Sequence, residues 1–506
     1  MTTVDAERGK PGPGSGDRHL PVAIVGSGFA GLGTAIRLRQ AGIEFAVFEK
    51  ADRLGGTWRD NSYPGSRCDV PSHLYSFSFA PNPGWTHTYP TQGELWEYLE
   101  ETARRFEVAD AIRFGQEVEQ ARWDGEAGHW EIDTTAGRFT AGSLVLGNGP
   151  LSAPSVPDVE GLEDFEGTVF HSAAWDHDHD LAGERVAVIG TGASAIQFIP
   201  EIQPQVDELV VFQRTPGWVL PHPDRAIHPW ERRLYRAFPP AQRAVRWTIY
   251  WARELTAIPF VKRPRMMRHV QRIASGHLRR QVADPTLRTK LTPDYSPGCK
   301  RLLLSDDYYP ALASPNVEVV TDRIAGVTRT GIRTADGRER PVDTIILGTG
   351  FKVVDNPAFD IVVGPEGRTL GQAFQDKGMA AYLGTTVPGF PNLFVIGGPN
   401  TGIGHTSLVF MYEAQIHYLV AALRTLEERG ATSLEVRREP FDAYNADLQR
   451  RMRHTVWSTG GCRSWYLDAH GNNPTLWPDW TWRFFLRTRT VRPEDYRFEP
   501  ARTGPA

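Results

Sequence analysis

Two glycine-rich stretches in this chain have the residue types and spacing that handle phosphate. Gly26-Ser27-Gly28-Phe29-Ala30-Gly31 follows an apolar run at residues 21–25 and opens a helical pattern, the setting in which such a loop meets a dinucleotide. The first glycine makes a tight turn, the second admits a pyrophosphate against the backbone, and the third lets helix and strand pack closely. Glu49 closes the next apolar run, 23 residues after Gly26. A carboxylate there accepts hydrogen bonds from an unphosphorylated ribose diol, so FAD or NAD fits this loop and NADP does not. Gly190-Thr191-Gly192-Ala193-Ser194-Ala195 repeats the pattern, with Ala in the third packing position. At the distance where the first loop has its acid, this one has Gln213 followed by Arg214. A guanidinium matches a 2′-phosphate in a bidentate way, so the second loop is expected to hold NADPH. Thr191, Gly192, Ser194, Gln197, Arg214 and Thr215 form its expected contact set. Two loops with opposite charge at corresponding positions imply two cofactors, FAD in the first and NADPH in the second.

Each loop needs a strand before it, a helix behind it and a second strand, and the sequence supplies both βαβ units. The class is therefore α/β, with two Rossmann-like dinucleotide-binding domains. A chain of 506 residues suits two or three domains, and 40% apolar with 23% charged residues is a soluble globular composition. The pattern assigns residues 20–154 and 341–506 to a discontinuous FAD domain, and residues 155–220 and 291–340 to an NADP domain. Residues 221–290 form a helical insertion with sixteen Lys or Arg against four acids, a surplus of twelve. Its aromatics are expected to turn to the core beneath a solvated basic face. A lid over the cofactor cleft or an amphipathic helix on a membrane surface are the competing readings. Residues 1–19, rich in Gly, Pro and charge, read as a disordered tail. The net charge of −4 gives no reason to expect nucleic acid, and no stretch has the apolar length of a membrane span. Cys68, Cys299 and Cys462 are scattered and odd in number. That argues against a disulfide framework or a metal site and suits a cytoplasmic protein.

Two further motifs carry a resemblance. Phe165-x-Gly167-x-x-x-His171-x-x-x-Trp175-Asp176 and the stretch GGTWRDNSYPGSRCD over residues 55–69 are similar to the short and long fingerprints of the single-component Baeyer–Villiger monooxygenases, which are FAD- and NADPH-dependent. The resemblance covers nearly all of the chain after residue 20. It implies that Gly56, Thr57, Trp58, Asp69, Tyr75 and Val118 join Gly26, Gly28, Phe29, Ala30, Gly31 and Glu49 around FAD. It implies that Arg301, in the stretch PGCKRLLLSDDYY, is catalytic, that Asp69 orients it, and that Lys300 is a second partner for the 2′-phosphate. Trp465 is similar to a late tryptophan near the nicotinamide ribose. Phe165, Gly167, His171, Trp175 and Asp176 would form a hinge between the cofactor domains rather than touch substrate, although nothing in that stretch looks like a strand or a long helix. His171 and Trp175, taken singly, read equally well as packed core residues. The implied activity is conversion of a ketone to an ester or lactone with O2 and NADPH, through a C4a-peroxyflavin. An N- or S-oxygenating enzyme of the same architecture is the alternative, and a pyridine-nucleotide-dependent reductase or a non-catalytic nucleotide sensor stands further off. The close of the chain and the GPNTGIGH stretch depart from the cyclic-ketone enzymes, which leaves the substrate open.

Overall fold

The computed structural model describes residues 18–468 and 471–500. Residues 1–17 of the expected tail lie outside them, and Arg18 and His19 already belong to the first strand, Arg18–Val25. That strand is buried because its side chains alternate between two cores: Val22 and Ile24 enter one, Ala23 the other. Phe45–Phe48, its parallel neighbour, alternates in the same way. A strand covered on both faces is what a near-continuous apolar run encodes. An eight-stranded sheet results, in which Gly137–Leu146 pairs with Arg18–Val25 on one side and with the antiparallel strand His129–Thr134 on the other. Between the first two strands runs α1 (Phe29–Ala41), whose chain turns out through Gly42 in the left-handed region.

The second sheet has five strands, all parallel, in the order Val317–Val320, Glu208–Phe212, Arg185–Ile189, Thr344–Leu347, Thr168–His171. Val186 and Val188 face one core while Ala187 and Ile189 face another. The helix α2 (Ala195–Ile202) follows the second glycine loop. Two features differ from the sequence reading. Thr344–Leu347 pairs within this second sheet, although a boundary at 341 gives it to the first; four apolar-flanked residues buried between two strands belong with the strands that bury them. Thr168–His171, inside the stretch that showed no strand character, is the edge strand here, too short to reveal a period of its own. The chain passes between the sheets twice, and the two passages are zipped together. Ser155 N–H donates to the Gly350 carbonyl at 2.8 Å and Lys352 N–H to the Ala153 carbonyl at 2.9 Å.

The insertion contributes α3 (Pro229–Ala237), α4 (Pro239–Leu255) and α5 (Met267–Gln281). Proline stands in the first turn of α3 and of α4, where its missing N–H costs nothing. The first two helices lie against the first domain: Gln242 Nε2 donates to the Asn82 carbonyl at 2.6 Å and Arg246 Nη1 to the His73 carbonyl at 2.7 Å. Farther along, α6 (Leu408–Glu428) packs against α1, and α7 (Thr481–Arg487) against α6. Among the described residues no helix is long and apolar enough to cross a membrane.

Candidate active site

The first glycine loop is built for close approach. A Cβ on Gly31 would lie 1.8 Å from the Gly26 carbonyl oxygen, so only glycine allows α1 to start where it does. Gly28 caps α1 and faces Gly56, whose own Cβ would stand 3.1 Å from the Gly28 Cα. Phe29 and Ala30 are buried in the first turn. Glu49 is 4% exposed and fully engaged: one carboxylate oxygen accepts from Ser27 N at 3.0 Å and Ser27 Oγ at 2.6 Å. The other accepts from Ala51 N at 3.0 Å and Arg59 Nη1 at 3.1 Å. Ser27 and Arg59 were missed in the sequence, where only the acid is diagnostic; a ribose diol would replace the rotatable Ser27 hydroxyl. Thr57 and Trp58 open the short helix Thr57–Asp60, and the Trp58 indole N–H donates to Tyr75 Oη at 3.3 Å. Tyr75 also packs edge-on against Phe29 at 5.2 Å. Val118 is buried in the sheet core two residues after Gln116, whose N–H donates to the Glu49 carbonyl at 3.0 Å.

The second loop opens onto a cleft of about 560 Å³ lined by Arg214, Thr215, Lys290, Asp294, Tyr295, Lys300 and Arg463 among others. Four cations face one carboxylate. Burial, and then the charge of Arg214, lower the Lys300 pKa, with Asp294 opposing them. A cluster of cations around one carboxylate suits an anionic ligand. Thr191, Gly192 and Ser194 form the loop above α2, and Ala195 takes the tight packing position against Gly348. Gln197, expected at the cofactor, also bridges the two domains. Its Oε1 accepts from Tyr63 Oη at 2.9 Å and its Nε2 donates to the Arg67 carbonyl at 3.0 Å, so it clasps the long fingerprint of the first domain to α2 of the second.

Asp69 and Arg301 meet where the domains face each other. Arg301 Nε and Nη2 each donate to a separate Asp69 oxygen at 2.5 Å, a two-pronged pair between residues 232 apart. Asp69 raises the Arg301 pKa against the effect of burial. In turn, burial pushes the Asp69 carboxyl up, but Arg301, and behind it Arg253, hold it below its ordinary value. The Arg301 side chain keeps 40% of its surface accessible, so the guanidinium remains open to a ligand beyond Asp69. Tyr466 lies beside it. Trp465 is 51% exposed with its ring 4.4 Å from that of Tyr466.

Cys299, two residues before Arg301, forms a disulfide with Cys462 across 163 residues. The cysteine spacing, which argued against a disulfide framework, did not reveal this bond: spacing along the chain says nothing about partners that tertiary structure brings together. Only Cys68 is free, and it is buried.

In the short fingerprint, Phe165 is buried and Gly167 is forced, since a Cβ there would meet the Asp343 carbonyl oxygen at 2.1 Å. His171 Nδ1 accepts from Ala173 N at 3.0 Å, and the ring lies against the Gly350 backbone. The ring therefore sits at the return passage between domains. Trp175 packs on Phe170 at 5.1 Å and on Phe198 of α2 at 5.3 Å, and Asp176 is exposed, accepting from Asp178 N at 3.1 Å. The neighbouring His177 Nε2 is 2.8 Å from Ser62 Oγ of the long fingerprint.

One further group went unassigned in the sequence. His405 closes the GPNTGIGH stretch, 5% exposed, with both ring nitrogens lacking a hydrogen-bond partner in the protein, and the adjacent Thr406 hydroxyl is equally bare. Burial lowers the His405 pKa to about 4, so the imidazole is neutral at physiological pH. Buried polar atoms without partners mark a place where a polar ligand completes the structure. The residues present thus fit both groups: a glycine-lined, acid-ended cradle for FAD, and a cation-lined cleft for NADPH.

A paired-dinucleotide α/β fold with a buried acid behind one glycine loop, a cation-lined cleft beside the other and a two-pronged arginine–aspartate pair is the arrangement of a flavoprotein monooxygenase that uses FAD and NADPH. Known proteins narrow this. Residues 23–239 match the family model described as pyridine nucleotide-disulphide oxidoreductase. The chain is 51% identical over 491 residues to a Baeyer-Villiger monooxygenase of Streptomyces coelicolor, covering 96% of this chain and 94% of that one. A Baeyer-Villiger monooxygenase of Pseudomonas aeruginosa is 50% identical, with 93% and 90% covered. Among solved structures, the closed form of cyclohexanone monooxygenase superposes with a TM-score of 0.85 at 27% identity, covering 96% of this chain and all of the other. Oxidized steroid monooxygenase bound to NADP superposes at 0.84 and 30% identity over the same share of this chain. The chain belongs to the Baeyer–Villiger monooxygenase family.

Proposed function

We propose that the protein oxygenates an apolar ketone to an ester or lactone: ketone, O2, NADPH and a proton give the ester, NADP⁺ and water. The observation that supports this reading is the two-pronged Arg301–Asp69 pair, which joins the long fingerprint to the PGCKR segment. FAD, once reduced, supplies the nucleophilic oxygen that no side chain can provide. The chain supplies the charge. A guanidinium has five N–H groups, and two are held by Asp69, which leaves three for oxygen atoms that become negative as a carbonyl is attacked. Because Asp69 raises its pKa, Arg301 stays protonated throughout the physiological range. Arg214, Lys290, Lys300 and Arg463 hold the 2′-phosphate, and Lys300 adjoins Arg301 in sequence, so the nicotinamide coenzyme and the guanidinium are positioned by one segment. Phe165, Gly167, His171 and Trp175 act by fixing the passage between domains. We place the protein in the cytoplasm, where NADPH is supplied.

Arg301→Ala tests this. With a panel of ketones, the variant is expected to bind FAD and oxidise NADPH within about tenfold of the parent while ester formation falls by about a thousandfold. Ester formation at the parental rate would remove Arg301 from the chemistry. Turnover of amines or sulfides with no ketone product would turn the reading to heteroatom oxygenation.

A further inference from the structure

The outer helices of the insertion place polar groups inside and large apolar side chains outside, alongside an inward contribution from Tyr235, Ala241, Val245 and Ile249. Along α4 the residues four apart that face inward are Gln242, Arg246, Tyr250 and Glu254, three of them polar. Arg246 spends its charge on the carbonyls of His73 and Ser76, and Glu254, 0% exposed, accepts from Thr481 N at 3.0 Å. The stripe that faces outward, also four apart, is Arg243, Trp247, Trp251 and Leu255; the last three are 56%, 51% and 60% exposed. The helix α3 repeats the inversion. Glu231 turns inward to Arg225, and Trp230, Leu234 and Phe238 are 62%, 41% and 56% exposed. Continuity extends to α7, since Tyr250 stacks on Phe410 at 5.1 Å and Phe410 contacts Phe485, which is exposed beside Leu486. A large apolar surface left open on neighbouring helices is a docking surface by default.

What surrounds it names the partner. Between residues 225 and 283 the only acids are Glu231 and Glu254, both turned inward. The exposed charges among the tryptophans are Arg233, Arg236 and Arg243. We propose that α3 and α4 form an in-plane membrane-docking face, with Trp230, Trp247, Trp251, Phe238 and Leu255 entering the headgroup boundary of an anionic bilayer and the arginines meeting its phosphates. Indole rings suit that boundary, having an apolar body and a polar edge. A second copy of this chain is a poorer occupant, because a two-fold contact sets arginine against arginine. The cytoplasmic leaflet supplies the opposite charge. The proposal is independent of the reaction assigned above.

The test is co-sedimentation of the purified FAD-loaded protein with vesicles of equal parts phosphatidylglycerol and phosphatidylcholine, and with phosphatidylcholine alone. Binding to the anionic vesicles at low salt, weakened by added salt, is expected. Trp247→Ser with Trp251→Ser, and separately Arg233→Gln with Arg236→Gln and Arg243→Gln, should each lower the bound fraction by about tenfold or more. Flavin content and melting temperature serve as controls that the fold is intact, and Trp251→Ser alone serves if the pair gives no yellow protein. Failure to sediment with anionic vesicles, binding untouched by either variant, or a concentration-dependent dimer that the tryptophan variant dissolves would each overturn the proposal.

Discussion

At Arg301 the distinction between charge and shape is open to measurement. Lysine keeps a cation but loses the planar fork that spans both Asp69 oxygens. Arg301→Lys is therefore expected to lose product formation by about a hundredfold, nearer to alanine than to the parent, in steady-state assays of ester against NADPH consumed. Asp69→Asn keeps the size of the side chain and removes the counter-charge; product should fall while FAD affinity holds, since Glu49 and the glycines carry that. Arg214, on a different segment, lines the coenzyme cleft with Lys300, the neighbour of Arg301. Arg214→Ala should raise KM for NADPH by about ten- to a hundredfold and leave KM for NADH nearly unchanged, the loss of one charge-assisted contact to the 2′-phosphate. If both coenzymes weaken equally, the guanidinium holds the loop and not the phosphate.

The elements around the site are joined by links of different legibility. The Cys299–Cys462 bond ties the Arg301 segment to the loop that carries Arg463 and Trp465, and both halves line the coenzyme cleft. Cys299→Ser with Cys462→Ser, or treatment with a thiol reductant, is expected to destabilise the protein by about 2–4 kcal/mol in calorimetry and to raise KM for NADPH by loosening one wall of the cleft. Nothing in a sequence announces that bond. The same holds for the Gln197 clasp, since a glutamine on a helix after a glycine loop reads as a cofactor contact until the fold brings Tyr63 and Arg67 to it. The glycine loops were legible because their chemistry is local: Gly31 answers to Gly26 five residues away, and Glu49 follows within one βαβ unit. The exposed tryptophans of α4 were misjudged because apolar side chains ordinarily turn inward. Here Arg246 and Glu254 hold the inner face, through partners far off in the chain.

Across the whole molecule, two sheets are joined by two adjacent passages, and acid should disturb that arrangement in a defined order. His73 and His405 are both buried, and both have pKa values lowered to about 4, His405 by burial and His73 by burial and then by Arg246, with Glu231 opposing. Unfolded, each titrates near 6.5. The folded state binds fewer protons than the unfolded state between those values, so the stability these rings contribute is complete above about pH 6.5 and is lost as pH falls towards 4. The size is on the order of 3 kcal/mol for each ring. Carboxylates follow later: the Arg225 pair holds Glu231 at about 2, and Arg301 keeps Asp69 low against the effect of burial, so their contribution persists to lower pH. Calorimetry as a function of pH should therefore show the melting temperature declining below about pH 6.5, before either ion pair is protonated. In a variant carrying His73→Gln and His405→Gln the profile should be flatter between pH 6.5 and 4. An unchanged slope would place the acid sensitivity in the carboxylates, and the two buried imidazoles would then be protonated in the folded protein as readily as in the unfolded chain.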